Sequence, residues 1–120
     1  MFKKLRTVVY HVDNLDKAKK WYIKATGIKP YFDEPYYVGF DINGAELGLD
    51  PDNVGVTPGN QTLSFWSVDD AEKVAQKLIS LGAKNIQPRT KVGENVFTAI
   101  VQDPFGNHIG LIEEQEKTGS

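Results

Sequence analysis

The chain has 120 residues, with 14 Lys+Arg against 16 Asp+Glu, a net charge of −2, 40% hydrophobic residues and no cysteine. That excludes disulfides, a thiolate nucleophile and cysteine-ligated metal, and it lacks the basic footprint that nucleic acid requires. The length suits one domain burying roughly two-thirds of its unfolded surface. No apolar run can cross a bilayer, and Met1-Phe2-Lys3-Lys4 does not open a signal peptide, so no membrane partner and a cytoplasmic address are expected.

Thr7 to Val12 is rich in β-branched residues and predicts a strand. Asp13 or Asn14 can cap a helix whose apolar positions Leu15, Ala18, Trp21, Tyr22 and Ala25 recur at three- and four-residue spacing, with Gly27 as its stop. A short strand near Lys29 to Phe32 and a longer one from Tyr36 to Ile42 follow, then an Asn43-Gly44 hairpin turn and a further alternating segment. Pro51 to Gln61, rich in turn formers, reads as a linker.

The same order then recurs, offset by about 56 residues. Leu63 to Val68 is the strand, and Asp69 with Glu72 reads as a capping box. Ala71, Val74, Ala75, Leu78 and Leu81 form the buried stripe before Gly82. Short and long strands near Asn85 to Pro88 and Val96 to Gln102 lead to a turn at Phe105-Gly106. Asp41 to Leu49 lies over Asp103 to Leu111, which makes Glu46 and His108 repeat partners. The reading is an α+β fold of two tandem βαβββ modules, about 5–50 and 62–113, with a linker at 51–61 and a polar tail at 114–120.

Two such modules, the second with Asp103-Pro104-Phe105-Gly106-Asn107 ahead of an alternating strand, resemble the vicinal oxygen chelate superfamily of glyoxalases, bleomycin resistance proteins and dioxygenases. The resemblance implies that each module is a curled mixed sheet with a helix on its outer face. The resemblance also implies that the modules together enclose a cavity, and a homodimer is the expected assembly. Metal-dependent members carry a His, Glu or Gln ligand on the first and last strand of each module. Carried onto this sequence, those positions are Thr7, Gly48, Leu63 and Gly110. None is a normal ligand for a divalent transition metal, so no metal and no other cofactor is expected.

His11, Glu46 and His108 project from the same strand faces as the missing ligands. They are candidate ligand contacts, a displaced metal site, or an acid/base pair. Tyr36, Tyr37, Phe40 and Phe65 are the aromatic candidates for a cavity wall, while Trp21 and Trp66 read as core. Aromatic walls near Glu46, Asp50 and Asp52 suit a small organic molecule that is flat or cationic. The first reading is therefore metal-independent small-molecule binding or sequestration. An alternative is a lyase, isomerase or dioxygenase using a displaced metal or a metal-free acid and base, and a third is a dimeric interaction domain.

Overall fold

The computed structural model describes residues 1, 3–52, 56 and 62–115. Most of the expected linker, and residues 116–120 of the expected tail, lie outside the described residues. The chain divides into two compact units, 1–58 and 59–120.

In the first unit, β1 (Thr7–His11) is followed by α1 (Leu15–Thr26), β2 (Phe32–Glu34), β3 (Tyr37–Ile42) and β4 (Ala45–Asp50). The strand order is β1-β4-β3-β2. β1 runs parallel to β4 and the other neighbours are antiparallel. Asn14 caps α1 by accepting from the Lys17 N–H at 3.0 Å, and Gly27 ends it in the left-handed region at φ 73°. Alternation decides what the helix covers. Tyr10, Leu49 and Val38 form one row across the sheet and Val8, Leu47 and Phe40 the next. Against these rows α1 lays Ala18, Trp21 and Tyr22, all buried. Each large side chain fully buried here contributes about 1.5–3 kcal/mol. Asn43 and Gly44 both have positive φ, as a two-residue hairpin turn requires.

The second unit repeats the plan with β5 (Ser64–Ser67), α2 (Ala71–Ser80), β6 (Lys84–Gly93), β7 (Val96–Gln102) and β8 (His108–Glu114), in the order β5-β8-β7-β6. Its register confirms the repeat: Val8 stands opposite Leu47 in the first unit, and Ser64 opposite Ile109 in the second. No helix among the described residues is long and apolar enough to cross a membrane.

Several details differ from the sequence reading. The cap of α2 is Asp70, which accepts from the Lys73 N–H at 3.0 Å, and not Asp69. Glu72 instead accepts from Gln76, so there is no capping box. β2 starts at Phe32, after Pro30, which has no N–H to give a ladder. β6 continues five residues past Pro88, because the proline sits on an edge strand between shifts in register. Strand β8 also takes in Glu114, the first residue of the expected tail.

A carboxylate ties the second unit together. Glu113, buried at 4% exposure, accepts from the first helical N–H of α2, at Ala71 (2.9 Å), and from Arg89 Nε at 3.0 Å through Oε1. Its Oε2 accepts from Arg89 Nη2 at 2.9 Å and Gln115 Nε2 at 2.8 Å. Arg89 also lies over the Phe97 ring, 3.7 Å from its centroid. The Arg89 guanidinium, then the Ala71 N–H and the Gln115 amide, hold the Glu113 carboxyl down at about 2, against an ordinary 4.5. Because the folded-state value is depressed, this contribution is fully present above the ordinary value and is lost as pH falls toward about 2. Glu113→Gln is expected to lower the urea midpoint at neutral pH, with a deficit against wild type that shrinks as the pH is lowered from about 5. Identical midpoints at neutral pH would show that the network adds no stability.

Candidate functional site

The face of the first sheet turned away from α1 carries a different chemistry. Its rows are Thr7, Glu46 and Asp41, then Val9, Gly48, Gly39 and Phe32, then His11 and Asp50. Glu46 is the centre. Its Oε1 accepts from the Thr7 hydroxyl at 3.0 Å and the Tyr37 phenol at 2.8 Å, and its Oε2 accepts from the Tyr31 phenol. Arg6 donates to Thr7 Oγ1 at 2.8 Å, while its Nη1 stays 3.7 Å from Glu46 Oε1.

These contacts fix the protonation of the group. Partial burial pushes the Glu46 carboxyl up, but the hydrogen bonds from Tyr31, Tyr37 and Thr7, with the Arg6 charge, outweigh it and hold the value below that of an ordinary glutamate. Burial, then the bond to the Glu46 anion, pushes the Tyr37 phenol up to about 12. The same anion raises Tyr31. At neutral pH the cluster is one carboxylate and two neutral phenols.

Glycines make the space for it. Gly39 and Gly48 face each other across β3 and β4. A Cβ on Gly39 would lie 2.7 Å from Glu46 Oε2, and one on Gly48 would overlap the Tyr37 hydroxyl oxygen and lie 2.6 Å from its ring carbon. Glycine inside a strand marks such close approaches. The second unit has an analogous arrangement, since a Cβ on Gly110 would lie 2.7 Å from the Phe65 ring.

The residues present do not fit a divalent ion at the positions where the resemblance places ligands. Leu63, Gly48 and Gly110 have no donor atom, and Thr7 spends its hydroxyl proton on Glu46. Aromatic rings fill the volume that a side chain at Gly48 or Gly110 would need. Among the described residues no group of three or more His, Cys, Asp or Glu could hold a metal ion.

The sequence candidates separate accordingly. Glu46 and Tyr37 meet directly, and Tyr36 packs edge-on against Phe32, which in turn touches Tyr37. His11 shares their sheet face but stands four residues along the strands from the Thr7–Glu46 pair, about 13 Å away. Its Nδ1 is 2.9 Å from the Asp52 carbonyl oxygen. Phe40 is fully buried in the row beneath α1, so it is core and not cavity wall. Phe65 is half-exposed beside Gly110, and His108 opens β8 opposite Gln102. Sequence reasoning missed Tyr31, which precedes β2, and the donor role of Thr7. The pair of mid-strand glycines signals a close approach on this face without saying which side chain makes it.

A family model described as the glyoxalase/bleomycin resistance protein/dioxygenase superfamily matches residues 4–111. The chain belongs to this superfamily. None of the curated proteins matches it. Among solved structures, a family enzyme from Burkholderia phytofirmans superposes with a TM-score of 0.81 at 17% identity, over 94% of this chain and all of that one. A glyoxalase-related enzyme from Fulvimarina pelagi gives 0.77 at 16%, over 94% and 89% of the two chains. An Agrobacterium tumefaciens protein solved by NMR gives 0.80 at 19%, over 96% and 100%. At these identities the superpositions establish the tandem βαβββ fold.

The packing of Tyr37 on Gly48 can be tested by a double-mutant cycle. Gly48→Ala is expected to cost about 1–3 kcal/mol by overpacking. Tyr37→Leu in the same chain removes the clashing ring, so the pair should be clearly non-additive in urea unfolding. Additive costs would show that the ring does not occupy this space.

Proposed function

We propose that this superfamily member binds a small organic molecule, aromatic or cationic, without a metal, as a cytoplasmic homodimer that sequesters or delivers its ligand. The observation that carries the reading is the pair of rings, Tyr37 and Phe65, in the space that side chains at Gly48 and Gly110 would occupy. Where the resemblance calls for carboxylates or imidazoles, this chain has apolar or phenolic surface. The candidate contacts are Glu46, Tyr36 and Tyr37 in the first unit, Phe65 and His108 in the second, and His11 at the end of β1.

The protonation states favour binding over a metal-free acid/base reaction. A general acid or base works best with a pKa near the operating pH. The Tyr37 phenol, at about 12, and the Glu46 carboxyl, held below its ordinary value, are poised to keep their neutral and charged forms. Such a pair supplies a fixed dipole and a fixed charge, which orient a ligand.

Elemental analysis tests the metal-independent part. Protein incubated with Zn, Ni, Mn and Fe and then desalted is expected to retain close to no ion per chain. About one tightly held ion per chain would overturn the reading. Sedimentation should give twice the chain mass.

A further inference from the structure

We propose that the Glu46 cluster of the first unit is a recognition site for an N–H-bearing organic cation, such as a primary ammonium attached to an aromatic ring. This rests on the small-molecule reading above and names the ligand's chemistry.

A carboxylate has about four acceptor positions. Three on Glu46 are taken, by Thr7, Tyr37 and Tyr31, and the remaining one is on Oε2. Glu46, whose side chain keeps 11% exposure, lines a groove of about 200 Å3 together with Arg6, Tyr31, Asp41, Gly44 and Ala45. At the turn, Gly44 and Ala45 contribute almost no side chain to the groove, and nothing lies within 4 Å of where a Cβ on Gly44 would sit.

The charges in the groove are also out of balance. Asp41 and Glu46 are direct partners across an antiparallel pair, where like charges destabilise. Arg6 answers only weakly: its side chain is 73% exposed, 3.7 Å from Glu46, and engaged with Thr7. One net negative charge is left for a ligand. The Tyr31 ring, 59% exposed at the groove's edge, offers a face to an aromatic group or to the cation itself. An open acceptor on an anion asks for a hydrogen-bond donor as well as a charge, which separates a primary ammonium from a quaternary one.

Benzylammonium, benzyltrimethylammonium and benzoate, titrated separately while tyrosine ring signals are followed by NMR, test this. Benzylammonium should bind with an affinity that falls as salt is raised, benzyltrimethylammonium at least several-fold more weakly, and benzoate not at all. Glu46→Gln should cost benzylammonium about tenfold or more. Arg6→Ala, a change at an exposed side chain, should strengthen it by removing the competing charge, so the proposal stays testable if Glu46→Gln folds poorly. Benzoate binding as well as benzylammonium, no binding of any probe at tens of millimolar, or a weaker Arg6→Ala complex would overturn the proposal. Each of those results leaves the metal-independent reading to be judged by its own elemental analysis.

Discussion

A four-stranded sheet has two faces and each unit of this protein has one helix to cover them. In the first unit α1 takes the rows of Tyr10, Leu49, Val38 and of Leu47, Phe40, which pay for the fold in buried apolar area, while Val8 at the end of the second row stays exposed. Period-two alternation then places everything else on the uncovered face, whether or not it suits water. Thr7, Glu46 and Asp41 stand there because Val8, Leu47 and Phe40 must stand on the other side. A slip of one residue in β4 would bury Glu46 beneath the helix and expose Leu47 and Leu49, so core and site fix each other's register.

The uncovered face needs exceptional backbone to hold its phenols. Glycine weakens a strand interior, and two of them directly opposite, Gly39 and Gly48, weaken the same rung twice. What they gain is depth. With no Cβ on that rung, Tyr37 folds down to reach Glu46 and Tyr31 reaches the same carboxylate from beyond the sheet. The local stability given up is offset elsewhere, by large side chains with almost no exposed area, Phe40, Leu47 and Leu49 among them.

Much of this was legible in the sequence. The tandem repeat, both helices and their glycine stops, the Asn43-Gly44 turn and strand β7 follow from periodicity and local turn chemistry, which act over a few residues. The bounds of β6 did not, because Pro88 reads as a breaker and only tertiary context shows an edge where its missing N–H costs nothing. Grouping Phe40 with Tyr37 was avoidable, since residues three apart on a strand lie on opposite faces. Tyr31 was not legible: it lies outside any strand, and its partner Glu46 is fifteen residues away with no rule connecting them.

Two heavily bonded glutamates among the described residues, Glu113 and Glu46, are held in different ways. Glu113 receives four donors, two from the Arg89 fork, one from the backbone of α2 and one from Gln115, which fill its acceptor positions. A ligand could reach it only by displacing a charged, bidentate partner that already satisfies it. Glu46 receives three donors, all neutral hydroxyls, with the nearest cation beyond hydrogen-bond distance on an exposed stem. Hydroxyls hold a carboxylate ionised without cancelling its charge. The same number of protein groups arranged as an Arg fork would have filled the acceptor positions of Glu46 as they fill those of Glu113, so what separates the two carboxylates is whether a cation donates to them directly or stands off on an exposed stem.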